Sequence, residues 1–197
     1  MRRSLVLTAV CIAGVGLASP SLAASKSSAA LTVKDVTGDA NGLNDQFGLL
    51  PAGPPEQSND TLSQKSADIV SFSLARKGKA FVGTLTLAAP PAQGTDYRIR
   101  MTAPGCSTYF LEYEYAPALA PAGEVRHTCD GGTSATFEAV DATVTGSTIT
   151  WTIPVRGMPG GLKAGTALSV KGAQTSVETA AIIPGLDQVR VDKTFVL

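Results

Sequence analysis

Histidine, tryptophan and cysteine are nearly missing from this chain: its 197 residues include one His, one Trp and three Cys. The single histidine, His127, has no partner motif around it and reads as a strand-end or loop residue beside Cys129. No C-x-x-C spacing is present, which removes the usual signature of a zinc or redox pair. Serine-rich stretches contain no G-x-S-x-G elbow. No glycine-rich phosphate loop precedes a helix, because no long stretch carries a helical period. Haem would need axial His or Met, and only His127, Met101 and Met158 are candidates, with Met101 in a core pattern. An excess of one charge is also lacking. Sixteen basic residues face sixteen acidic ones, so no global field favours nucleic acid or an anionic membrane.

The first residues form a leader. "MRRSLVLTAVCIAGVGLASPSLAA" has a basic start at Arg2 and Arg3, an apolar run from Leu5 to Leu17, and small residues at Ser21 and Ala23. These are the three parts of a secretory signal peptide over residues 1–23. Beyond it no segment reaches the ~20 apolar residues of a membrane span. The expected product is secreted and extracellular, with a disordered start over 24–30 and one domain over 31–197. An oxidising compartment makes Cys106 and Cys129 a structural disulfide, with Cα atoms roughly 4.4 to 6.8 Å apart.

The domain reads as all-β. "ADIVSFSL" places Val70, Phe72 and Leu74 on one face, and "RKGK" turns the chain into "AFVGTLTLA", with Phe81, Leu85 and Leu87 alternating. "DYRIRM" sets Tyr97, Ile99 and Met101 against Asp96, Arg98 and Arg100. "TITWTI" sets Ile149, Trp151 and Ile153 against three threonines, and "QVRVDKTFVL" repeats the period at Val189 and Val191. Period-two runs between Gly- and Pro-rich turns mark antiparallel sheets. About nine or ten strands in one domain predict a β-sandwich of jelly-roll type.

One connection is unusually long. Between "LTVKD" and "ADIVSFSL" lie about thirty residues without an expected element, beyond the length common in compact domains. From Asp35 to Asp68 it holds six acids against one base, Lys65. Calcium takes six to eight oxygen ligands, and Asp35, Asp39, Asn41 and Asp68 could supply a nucleus, with Asn44 or Asp45 completing it. The stretch is not an EF-hand: with Asp39, Asn41 and Gly42 in register, Thr37 and Gly48 fall where the end ligands belong. The other reading is an Asx-rich turn whose side chains cap their own backbone.

"DVTGDANG", followed by "ADIVSFSLARKGKAFVGTLTLA", resembles the opening of DOMON-like modules, which are related to family-nine carbohydrate-binding modules. Asp35, Gly38, Asp39 and the pair Asp68-Ile69 match that pattern, over roughly residues 31 to 90. The resemblance implies a β-sandwich with a structural calcium near this loop. It carries over no aromatic sugar clamp, since Trp151 has no second Trp and belongs to a core pattern.

"TYFLEYEY" puts Tyr109, Tyr113 and Tyr115 on one face, with Phe110, Glu112 and Glu114 on the other. The tyrosine face is either a ligand platform or core with hydroxyls at the rim. Glu112 and Glu114 lie on one strand rather than flanking a cleft, which argues against a glycosidase pair. Two function classes follow, neither an enzyme. One is a calcium-stabilised binding module for carbohydrate or a cell-envelope polymer. The other is a structural or protein-interaction domain whose partner is another protein. Free-thiol labelling of the unfolded, unreduced mature protein is expected to find no thiol; two reactive thiols would refute the disulfide.

Overall fold

Eleven strands form among the residues that the computed structural model describes, which are 30–35, 37–38, 40, 64–115, 122–177 and 185–197. Residues 1–29, over which a leader and a disordered start are expected, lie outside them. In chain order the strands are β1 (Ala30–Lys34), β2 (Ile69–Lys77), β3 (Ala80–Leu87), β4 (Thr95–Ala103), β5 (Cys106–Glu114) and β6 (Ala122–Cys129). They continue as β7 (Thr136–Ala139), β8 (Asp141–Thr145), β9 (Thr148–Pro154), β10 (Ala167–Val177) and β11 (Gly185–Val196). A five-stranded sheet runs β1-β2-β3-β9-β8 and a six-stranded sheet runs β11-β10-β4-β5-β6-β7. Every pairing is antiparallel. The all-β sandwich expected from the alternation is what forms.

Several details differ from the sequence reading, the first being eleven strands where about nine or ten were expected. A single helical turn, α1 (Gln64–Ala67), sits in the connection expected to hold no element. A register shift between Ile69 and Ser71 then places Ile69, rather than Val70, fully in the core. An extra residue in one strand of a pair resets which side chains face inward, and no local pattern signals it here.

Between the sheets Phe72, Leu74, Leu85, Ile99 and Trp151 are buried in one cluster. Trp151 on β9 pairs directly with Gly83 on β3. The space beside the indole is filled by Leu111 from the opposite sheet, whose Cδ1 would lie 2.2 Å from a Cβ at Gly83. Only glycine admits that approach. The indole N–H donates to the Glu112 carbonyl at 2.9 Å, so a core residue of one sheet is hydrogen-bonded to the backbone of the other.

Cys106 and Cys129 face each other across β5 and β6 and are bonded, with Cα atoms 3.9 Å apart. That separation is shorter than the expected range of roughly 4.4 to 6.8 Å and shorter than the ~4.5 Å of ordinary cross-strand partners.

Trp151→Ala should destabilise by about 3–5 kcal/mol, and Gly83→Ala by about 1–3 kcal/mol through overpacking against Leu111. Denaturant midpoints measure both. A Gly83→Ala protein as stable as the native one would show that the sheets separate freely at this point.

Candidate functional site

Three places in the fold gather polar chemistry, and the first holds the acidic stretch. β1 and β2 pair so that Asp35, just past the end of β1, donates its N–H to the Val70 carbonyl at 2.9 Å. The Gly38 N–H donates to Asp68 Oδ2 at 2.7 Å. Asp35 and Asp68 are thus brought to one end of the five-stranded sheet, and Asp68 is buried. Asp39 and Asn41 lie outside the described residues, as do Asn44 and Asp45. Asp187, which the sequence reading missed, joins from β11: its Oδ2 accepts the Ile69 N–H at 2.6 Å and its Oδ1 accepts the Gln188 N–H at 2.7 Å. Nothing local in "GLDQVRV" marks that aspartate, because its partner Ile69 is 118 positions away. Among the described residues no group of three or more His, Cys, Asp or Glu is placed to hold a metal ion. The described part supplies two of the four expected ligands, Asp35 and Asp68.

The second place lies beside the disulfide. Tyr109 and Tyr113 are buried and Tyr115 is partly buried against the core, so this row packs the interior instead of presenting a platform. Burial pushes the Tyr109 phenol up, the nearby Glu138 adding to the effect, and its hydroxyl donates to the Pro159 carbonyl at 3.2 Å. Tyr109 stacks on His127, their ring centroids 6.2 Å apart. His127 Nε2 meets Glu138 Oε1 at 2.7 Å, and the same carboxylate oxygen accepts the Gly160 N–H at 3.2 Å. These contacts, the His127 hydrogen bond first, hold the Glu138 carboxyl below its ordinary value. Beside it an open cleft of about 620 Å³ is lined by Lys77, Lys79, Glu138, Asp141 and Pro159 among others.

The third place is the outer face of the six-stranded sheet. Register sets Arg98 opposite Glu112, and Glu112 opposite Glu124. Arg98 is nearly buried: Nε contacts Glu112 Oε1, Nη2 lies 3.1 Å from Asp96 Oδ2, and Nη1 lies 3.2 Å from Ser176 Oγ. This guanidinium serves the fold. Burial, followed by Glu112 and Glu114, pushes the Glu124 carboxyl up.

One residue pair further along the strands the pattern changes. Arg100, Phe110, Arg126 and Phe137 are successive cross-strand partners over β4, β5, β6 and β7. The Arg100 guanidinium lies 5.8 Å from the Phe110 ring centroid, and that of Arg126 lies 5.3 Å from the Phe137 centroid. Phe137 is 55% exposed. Arg190 on β11 continues the row beyond Gly172 on β10. Among the described residues none of Arg100, Arg126 and Arg190 forms an ion pair. Burial, then the Arg190 and Arg98 charges, lowers the proton affinity of Arg100, as cations crowded together should. The five-stranded sheet is unlike this: the row Thr32, Ser73, Thr84, Thr150, Thr143 crosses its outer face with hydroxyls alone. The sequence reading set Arg100 opposite the core residues of its strand and Phe110 on the face opposite the tyrosines; their alignment with Arg126 and Phe137 depends on register.

Comparison with known proteins finds no matching family model, no matching curated protein and no matching solved structure. Among the described residues no helix is long and apolar enough to cross a membrane.

Two tests follow. A carboxylate whose pKa is depressed by folding stabilises above its unfolded value, near pH ~4.3, and loses that contribution as pH falls through the folded value. Glu138→Gln should therefore lower the denaturant midpoint at neutral pH and leave it close to native well below the carboxylate range. An equal deficit at both pH values would assign Glu138 a packing role only. Asp187→Ala leaves the Ile69 and Gln188 amides without their acceptor and should cost about 1–3 kcal/mol for each amide that stays buried, read from the same midpoints.

Proposed function

We propose that this domain is a secreted, calcium-stabilised binding module whose ligand is a glycan or cell-envelope polymer. The outer face of the six-stranded sheet is its ligand surface. A single observation carries the reading: Arg100, Phe110, Arg126 and Phe137 form a half-buried row of alternating cations and rings that opens to solvent at Phe137, and among the described residues neither arginine has an ion-pair partner. Aromatic rings with arginine against them offer flat apolar area and directed hydrogen-bond donors together, the combination favoured at recognition surfaces. The buried tyrosines and the hydroxyl face of the other sheet lack it. A binding rather than catalytic role is supported by Glu112, whose carboxylate is taken by Arg98.

Calcium is the second part of the proposal. Its support is the meeting of Asp35 and Asp68 at one strand end, together with the likeness of "DVTGDANG" to the opening of DOMON-like modules. Asp39 and Asn41 would complete the nucleus. A cation bound only by the folded state raises stability by RT ln(1 + [L]/Kd), about 2.7 kcal/mol at a hundredfold excess over Kd.

Retention on a panel of insoluble polysaccharides should be abolished by Phe110→Ala with Phe137→Ala, circular dichroism confirming the fold. Binding to no member of the panel would turn the assignment to a protein-interaction domain. The melting temperature should rise in millimolar calcium and fall with chelator, and Asp68→Ala should remove the response. A melting curve indifferent to both additives would return the acidic stretch to an ordinary polar turn.

A further inference from the structure

The placement of charge on this face narrows the ligand class, on the premise that the face binds a glycan at all. We propose that the Arg–Phe row takes a carboxylate-bearing polysaccharide in which acidic and neutral sugars alternate, lying across the strands rather than along them. Neighbouring strands are about 4.7–4.9 Å apart, so Arg100 and Arg126, two strands apart, recur at ~9.5 Å, as do Phe110 and Phe137. An extended pyranose chain advances by about one such interstrand step per sugar. A polymer laid along the row therefore meets a guanidinium and a ring in turn. The planar fork of arginine matches a carboxylate with two parallel hydrogen bonds, and the ring between takes the apolar face of the intervening sugar.

Two further features agree. Each guanidinium rests against a ring, so its position is set before the ligand arrives and less side-chain freedom is lost on binding. In the adjacent row Arg98 takes up the Glu112 charge, and Glu124 beyond it stands on one flank of the arginines, where it repels a polymer carrying a charge on every unit. That carboxylate confines an acidic ligand to one track and disfavours a nucleic acid, whose phosphates would sit beside it. Arg190 extends the track beyond β10 and accepts a longer chain.

The test is titration calorimetry of the purified protein with three probes. They are an alternating uronate–hexosamine polysaccharide, the same polymer after reduction of its carboxylates, and a single-stranded oligothymidylate. The acidic polymer should bind at least about tenfold more tightly than its reduced form, the scale of one charge-assisted pair. Arg126→Ala should erase that preference by weakening the acidic polymer about tenfold more than it weakens the reduced one, and Arg126→Lys should restore only part of it. Phe137→Ala should weaken both polymers. Equal affinity for both, indifferent to Arg126→Ala, overturns the charge inference and leaves the glycan reading standing. Tighter binding of the oligothymidylate overturns the ligand class. Binding of no polymer, acidic or neutral, defeats the glycan reading itself.

Discussion

The hydrogen bond from the Trp151 indole to the Glu112 carbonyl ties the two sheets together beside the close approach of Leu111 to Gly83. A buried indole N–H needs an acceptor, and here the acceptor is backbone on a central strand of the opposite sheet. The bond fixes how deeply the ring sits, and Gly83 beside it lets Leu111 close the remaining space. Glu112 also works in the other direction. Its side chain points outward to Arg98, which is held further by Asp96 and Ser176. One residue thus anchors the core through its carbonyl and braces the outer face through its carboxylate. The flat outer surface of β4 and β5, on which Arg100 and Phe110 stand, depends on both.

Most of the fold was legible because period-two alternation is a local property. Tyr97, Ile99 and Met101 face inward and Arg98 and Arg100 outward, as their spacing requires. Cys106 and Cys129 could be paired because, with Cys11 assigned to an expected leader, two cysteines were left and each had one partner. What was not legible depends on contacts between distant positions. The Ile69 bulge reflects pairing with β3, and Asp187 serves an amide far away in sequence. The Arg–Phe row is visible only after four strands are placed in register. The tyrosines show the reverse limit: alternation grouped Tyr109, Tyr113 and Tyr115 on one face but could not say whether that face met solvent or core.

The two outer faces divide the molecule chemically. On one sheet the outward positions carry hydroxyl groups in rows and no charge along the Thr32–Thr143 line. On the other, acidic and basic rows lie side by side. Outward threonines suit a strand because β-branched side chains pack well on a pleated surface, so the hydroxyl face follows from strand preference alone. Arginine and phenylalanine alternating across four strands do not follow from it.

The passage from β7 to β8 carries a mechanical consequence. The chain leaves the six-stranded sheet at Ala139 and enters the five-stranded sheet at Asp141, with only Val140 between them. Val140 is itself clamped by its N–H to the Gly123 carbonyl at 2.9 Å. The edges of the two sheets on that side are therefore joined like the spine of a book. Toward the opposite margin, where β1 and β11 are the edge strands, the described residues tie the sheets by hydrogen bonds instead: Asp187 of β11 accepts the Ile69 N–H of β2, and Arg76 of β2 donates to the Leu197 carbonyl. Covalent continuity holds the spine, whereas hydrogen bonds and packing hold the covers, so a local opening of the covers breaks no bond of the chain.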